Sequence, residues 1–169
     1  MTDPAFRTDA LLRALVDGGV RFVVIGGFAG QVHGSSLLTY DLDICYARDE
    51  ANLVALVAVL RGLDATLRGA PPDLPFWLDP ATIRAGDVFT FNTDAGPLDI
   101  LGSVARDGWR AEYEALLPTS IEATIEGRSF QVAGLDDLIA MKRAAGRPKD
   151  RVELEILGAL REEIDRLNR

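Results

Sequence analysis

Two carboxylates one residue apart, Asp41 and Asp43 in Thr39-Tyr40-Asp41-Leu42-Asp43-Ile44, are the side chains of this sequence best suited to chemistry. Tyr40 to Tyr46 alternates polar and apolar residues, which predicts a strand on which Asp41 and Asp43 share one face. Leu42, Ile44 and Tyr46 then point the other way, into a core. Carboxylates roughly 6–7 Å apart along a strand can converge through their flexible ends on one divalent cation. Hard oxygen donors at this spacing suit Mg²⁺, which needs few protein ligands when substrate phosphates supply others. Without a cation the pair repels, by about 4 kcal/mol at ~4 Å and an effective dielectric of 20. A solvent-facing edge carrying two acids is the competing reading. Asp99, inside the apolar run Pro97-Leu98-Asp99-Ile100-Leu101, is a third candidate, because a charge in such a run is costly unless paired or metal-bound. If its strand lies beside that of Asp41 and Asp43, the three acids meet on one face. Such a set serves metal-assisted phosphoryl chemistry, with Asp99 as ligand to a second ion and as a candidate base.

Two other features suit an anionic substrate. Gly26-Gly27 follows the apolar run Val20 to Ile25, and small residues after a strand let backbone N–H groups approach phosphate oxygens. The dinucleotide-binding pattern of three spaced glycines fails here, because Ile25 stands where its first glycine would be. Further on, Lys142, Arg143, Arg147, Lys149 and Arg151 face only Asp150 within ten residues, although the chain as a whole carries a net charge of −8. A basic island on an acidic protein is either a confined anion pocket or a solvated helix connection. Lys142 and Arg147 are the two cations of that island suited to stabilising a transferring phosphoryl group.

The elements that must position these residues follow from periodicity. Helices are expected at 5–17, Phe28–His33 and Asn52–Leu60, and strands at Val20–Ile25 and Tyr40–Tyr46. Val88–Asn92 and Leu98–Leu101 read as a hairpin turned at Asp94-Ala95-Gly96, and Ile121–Ile125 with Phe130–Val132 as a second. Leu135–Ala145 and about 149–167 read as a C-terminal helical hairpin interrupted by Gly146-Arg147-Pro148. The expected fold class is α/β (α+β), a small mixed sheet with flanking helices. Residues 1–134 would form the core, and 135–169 a helical segment packed on the same domain. The 169 residues fit one domain, large enough to bury roughly 70% of its unfolded surface without a metal or disulfide staple.

Composition narrows the function classes. One cysteine, Cys45, excludes an internal disulfide, and one histidine, His33, excludes any scheme needing two imidazoles. Cys45 reads as a small buried hydrophobe, and His33 as a structural residue donating one hydrogen bond. Phe76 and Trp77 are either core or a platform for a base. The net charge argues against a general nucleic-acid coat or a membrane-surface role. Met1 to Pro4 lack the basic start and apolar run of a signal peptide, so a cytoplasmic location is expected.

Gly26-Gly27, thirteen residues, then Asp41-Leu42-Asp43-Ile44 resembles the signature of the polymerase-β-type nucleotidyltransferase superfamily. Gly-Gly-Phe-Ala-x-x-x-His33-Gly34 with Thr39-x-Asp41-Leu42-Asp43 is similar to small bacterial proteins of that fold. Their relatives include the toxins of abortive-infection type IV toxin–antitoxin systems. Leu138 to Asp150 looks like the same group, so the resemblance runs from about Val20 to Leu160. It implies transfer of a nucleoside monophosphate from a nucleoside triphosphate such as ATP to a hydroxyl of a tRNA, a protein or a small molecule, with a cognate antitoxin as a partner. It also implies two Mg²⁺ ions, replaceable by Mn²⁺, on Asp41, Asp43 and Asp99. Gly26, Gly27, Thr39, Lys142 and Arg147 would bind the nucleotide, with Asp150 orienting Lys142. Leu37 departs from the pattern, since relatives often carry arginine there. The loss of that cation motivates a second reading, a catalytically silent module that binds nucleotide or a partner.

Overall fold

The computed structural model describes residues 6–169. The first residue of the expected 5–17 helix, and Met1 to Pro4, lie outside them. Helix α1 (Thr8–Asp17) buries Leu11, Leu12 and Leu15, a spacing of three and four residues along one face. Strand β1 (Phe22–Ile25) is apolar and buried throughout, and α2 (Gly26–Val32) follows it with no intervening loop. Strand β2 (Leu42–Tyr46) and helix α3 (Glu50–Gly62) come next, the helix capped by the Asp49 carboxylate accepting from the Asn52 amide.

The middle of the chain holds elements the periodicity did not reveal. Strand β3 is only Thr66–Leu67, and α4 (Pro80–Ala85) starts at the Asp79-Pro80 turn, where the Asp79 side chain caps it. Strands β4 (Val88–Asn92) and β5 (Leu98–Leu101) form the expected antiparallel hairpin. A separate ribbon, β6 (Ser103–Arg106) with β7 (Trp109–Glu112), and the short α5 (Tyr113–Leu116) precede the second hairpin. That hairpin pairs β8 (Ile121–Ile125) with β9 (Arg128–Val132). Helices α6 (Leu135–Ala145) and α7 (Asp150–Leu167) end the chain. Gly146, at φ +61°, closes α6 in the left-handed conformation that glycine adopts without strain.

Seven strands form one mixed sheet in the order β3-β4-β5-β2-β1-β9-β8. The pairing that matters for function is parallel, β2 with β5, with Asp43 level with Asp99. Leu42, Ile44 and Tyr46 are wholly buried, as the alternation predicts, and so are Leu98 and Ile100 beside them. Cys45 is buried too. Strand β2 begins at Leu42 rather than Tyr40, so Asp41 sits in the bend leading into the strand, and Tyr40 is 72% exposed. Phe76 packs against Phe89 and Phe91, with ring centroids 6.1 and 6.2 Å away, while Trp77 is exposed. Among the described residues no helix is long and apolar enough to cross a membrane.

Candidate active site

Asp41, Asp43 and Asp99 present carboxylate oxygens that all lie within 4.8 Å of one another. Residues far apart in sequence meet because β2 and β5 run parallel in register, and the bend before β2 folds Asp41 back over the same face. Thr39 fixes that bend: its hydroxyl bonds the Asp41 carboxylate at 3.2 Å and the Asp41 carbonyl at 3.1 Å. The geometry therefore gives Thr39 contact with an acid of the site rather than an isolated place beside it. Farther back, the Gln31 amide donates to the Leu37 carbonyl at 2.7 Å and anchors the loop that carries Thr39.

The glycine pair belongs to helix α2 itself, which starts at Gly26. Gly26 has φ +70°, and a Cβ built there would overlap the Asp43 carboxylate. A Cβ at Gly27 would stand 3.0 Å from the Thr39 hydroxyl. Both glycines thus leave the space that lets backbone and carboxylates approach each other, and the N–H groups of the first helical turn have no intrahelical acceptor.

Electrostatics bear out the cost of gathering these acids. Burial, then the charges of Asp41 and Asp99, push the Asp43 carboxyl from 3.8 up to about 7, against the opposing pull of Lys142. Burial also raises Asp99, although the Arg68 guanidinium opposes it through a hydrogen bond and its charge. Three hard oxygen donors gathered this closely fit a divalent cation, and Asp41, Asp43 and Asp99 are the residues that would hold it.

On the other wall, Lys142 donates to Asp150 at 3.3 Å and pairs with Glu153 at 2.7 Å. Arg147 grips Asp150 with two nitrogens, Nε at 2.7 Å and Nη2 at 3.2 Å. Burial pushes the Asp150 carboxyl up, but the hydrogen bonds and charges of Arg147 and Lys142 outweigh it and hold the group below its ordinary value. The basic island is consequently divided. Lys142 turns inward onto Asp150 and Glu153, Arg147 covers Asp150 from the half-exposed rim, Lys149 lies exposed beside it, and Arg143 faces a different depression between α6 and α7. His33, outside the site, donates from Nε2 to the Ala133 carbonyl at 2.8 Å.

A polar cavity of about 440 Å³ joins these groups, bounded by Gly27, Leu37 and Thr39, the three aspartates, and the Lys142–Arg147–Asp150–Glu153 cluster. A second cavity of about 400 Å³ adjoins it, with Val88, Leu101, Val104, Leu138 and Met141 as apolar walls and Asp43, Asp99 and Lys142 at its polar end. The carboxylates stand at the junction of the two. Sequence reasoning missed two residues here. Glu153 lies one helical turn beyond Asp150, so helical spacing carried a signal for it. Arg68, which bonds Asp99 at 2.6 Å, follows a two-residue edge strand with no periodicity to announce it.

A cleft of this form on a mixed sheet, with two acids on adjacent strands, a third in the bend before one of them and a glycine turn against them, has the architecture of the nucleotidyltransferase fold. Solved structures of that class superpose on nearly the whole chain. The lincosamide antibiotic adenylyltransferase LnuA, bound to lincomycin, matches with TM-score 0.59 and 13% identity over 92% of this chain and 99% of its own. ANT(2")-Ia in complex with adenylyl-2"-tobramycin matches with TM-score 0.53 and 15% identity over 94% and 95%. A solution structure of the antibiotic-resistance factor ANT(2'')-Ia matches with TM-score 0.52 and 16% identity over 94% and 89%. No protein-family model matches the sequence, and no curated protein matches it. At identities this low the superpositions establish the shared fold alone.

Proposed function

We propose that this chain is a nucleotidyltransferase, moving a nucleoside monophosphate from a nucleoside triphosphate to an acceptor hydroxyl with release of pyrophosphate. The observation that carries the reading is the convergence of Asp41, Asp43 and Asp99 within 4.8 Å on the open end of β2 and β5. Mg²⁺, or Mn²⁺ in its place, is the cofactor that this donor set fits, and when bound it supplies charge neutralisation of the phosphates and activation of the attacking hydroxyl. In the reaction the acceptor oxygen bonds to the α-phosphorus, the bond to the β-phosphate oxygen breaks, and the hydroxyl proton is released.

The protein's own residues have separable tasks. Asp41 and Asp43 anchor the cation end of the cleft, with Thr39 fixing Asp41. Asp99 completes the set from the neighbouring strand. The first turn of α2 at Gly26 and Gly27 admits the triphosphate oxygens without side-chain obstruction. Lys142 and Arg147 face the same space and stabilise phosphate charge, and Asp150 holds both of them in place.

The acceptor follows from weaker indications. The names of the structural neighbours tie them to lincomycin and adenylyl-tobramycin, which favours a small hydroxylated acceptor for this chain as well. A tRNA end or protein hydroxyl, and a place in a toxin–antitoxin pair, rest on the sequence resemblance alone, and a cytoplasmic location on the character of the first residues. A silent binding module is favoured by one specific feature: Lys142 and Arg147 are already engaged by Asp150 and Glu153, and Leu37 adds no further cation.

The test is titration of each nucleoside triphosphate with Mg²⁺ or Mn²⁺ while monitoring pyrophosphate, against a panel of small-molecule and RNA acceptors. Release that falls by about 10³-fold or more in Asp43→Asn, with unfolding still cooperative, supports the enzyme. Metal-dependent binding without release across the panel supports the binding module. Absence of triphosphate binding overturns the enzyme and the nucleotide-binding module alike and leaves only a module that binds a partner.

A further inference from the structure

We infer that Arg68 is a resident cation of the carboxylate site, a positioning residue that holds Asp99 and limits the nucleotide-free protein to a single divalent cation. The inference rests on reading the three aspartates as a cation site, and it adds how much charge that site accepts before a substrate arrives.

Arg68 leaves the sheet directly after β3, its own amide donating to the Thr90 carbonyl at 2.9 Å. From there its Nη2 reaches the Phe91 carbonyl at 3.0 Å and the Asp99 carboxylate at 2.6 Å. Both partners of the ion pair are largely shielded, with side chains 33% and 17% exposed. The Nε of Arg68 is buried without a hydrogen-bond partner. An arginine serving only to tie the sheet edge would carry that unsatisfied donor at a loss. As the counter-charge to Asp99 it has a compensating role, because a guanidinium keeps its charge at every working pH.

The charge balance gives the pair its consequence. With all three aspartates ionised, as ligands to a cation would be, they contribute three negative charges, and Arg68 removes one, leaving the charge that one divalent cation neutralises. The neighbouring cations do not alter the balance. Lys142 and Arg147 are offset by Asp150 and Glu153, Arg110 across the adjoining cavity is exposed and paired with Asp87, and Lys149 is exposed to solvent screening. A second dication would then load a shielded cleft with two uncompensated positive charges beside Arg68, which Coulomb repulsion opposes strongly at such short range. A triphosphate carries the negative charge that removes this obstacle. Arg68 also keeps one carboxylate oxygen of Asp99 bonded, so the residue is oriented before any cation arrives.

The experiment is a Mn²⁺ titration of the full nucleotide-free chain, counting bound ion by electron paramagnetic resonance, for the natural sequence, Arg68→Gln and Arg68→Lys. One tight Mn²⁺ is expected in the natural protein. In Arg68→Gln a second Mn²⁺ site, or a roughly tenfold tightening of the first, is expected because a repelling charge has gone. Arg68→Lys keeps the charge and is expected to retain one ion. Glutamine keeps an amide donor for Asp99 and removes only the charge, so an arginine that merely holds the carboxylate would leave Mn²⁺ binding unchanged or weaker in Arg68→Gln, and either result overturns the inference. Two ions bound by the natural protein would overturn it as well, which keeps the test decisive if Arg68→Gln does not fold. Failure of the underlying reading looks different: the natural protein would bind no Mn²⁺, or Asp43→Asn would bind it undiminished.

Discussion

Asp43 and Asp99 stand level on adjacent strands, and the energetics of that placement can be read as a dependence of stability on pH. A carboxyl raised from 3.8 to about 7 by burial and by its acidic neighbours keeps its proton in the native state where the unfolded chain has lost it. Its stabilising contribution is complete below 3.8 and disappears as the pH rises through about 7. In cation-free buffer at pH 8, Asp43→Asn is therefore expected to unfold at a temperature a few degrees above the natural protein, a gap that closes by about pH 4. Added Mn²⁺ should reverse the order at pH 8 by stabilising the natural protein alone. Thermal unfolding by circular dichroism at the two pH values checks both outcomes. A variant less stable than the natural protein at pH 8 without cation would show that Asp43 is not under electrostatic strain.

At the scale of elements, the α6–α7 connection ties one wall of the cleft to the stability of the fold. Asp150 opens α7, is 2% exposed, and accepts from both Lys142 of α6 and Arg147 of the connecting turn. Removing Asp150 takes charge-assisted hydrogen bonds from Lys142, which keeps Glu153, and from the half-exposed Arg147, a loss of about 1.5–3 kcal/mol. Asp150→Ala should unfold several degrees lower at pH 7. Because the native carboxyl lies below its ordinary value, the stability it provides is present above 3.8 and is lost as the pH falls through that depressed value. The penalty of the variant should accordingly shrink on acidification toward pH 3, as denaturant melts across that range would show. The helical hairpin itself was legible from Gly146-Arg147-Pro148, since a left-handed glycine and a proline together end one helix and start another. The ribbon β6–β7 was not. Its strands are four residues each, they bury only Val104 and Ala111 among their apolar side chains, and polar contacts tie them to the rest, Ser103 and Arg110 to Asp87 and Arg106 to Asp137. Such contacts leave no period in a sequence.

For the molecule as a whole, we propose that residues 1–134 and 135–169 unfold as one unit. Helix α7 buries Leu157 completely, and Gly30 of α2 lies close enough that a Cβ there would meet Leu157 at 3.7 Å and Glu153 at 3.2 Å. The C-terminal helices therefore close over the glycine turn and the cleft, and melting them would open the site and the core together. Calorimetry of the full chain should show a single transition whose calorimetric and van't Hoff enthalpies agree. Two resolved transitions would refute the shared unit.

The identity and spacing of Asp41 and Asp43, the glycine pair, both hairpins and the terminal helices were determined by the sequence itself. Local geometry governs each of them, through strand alternation, left-handed backbone and helix termination. Even there the alternation overextended β2, because Thr39 bends the chain at Asp41 through a hydrogen bond that alternation does not encode. The tertiary structure alone decided that Asp99 stands beside Asp43, because a parallel pairing joins strands far apart in the chain and no turn between them fixes its register. It alone brought Arg68 to Asp99. Ion pairs between distant segments depend on where the sheet and helices carry their side chains, and a single sequence holds the charges without their distances.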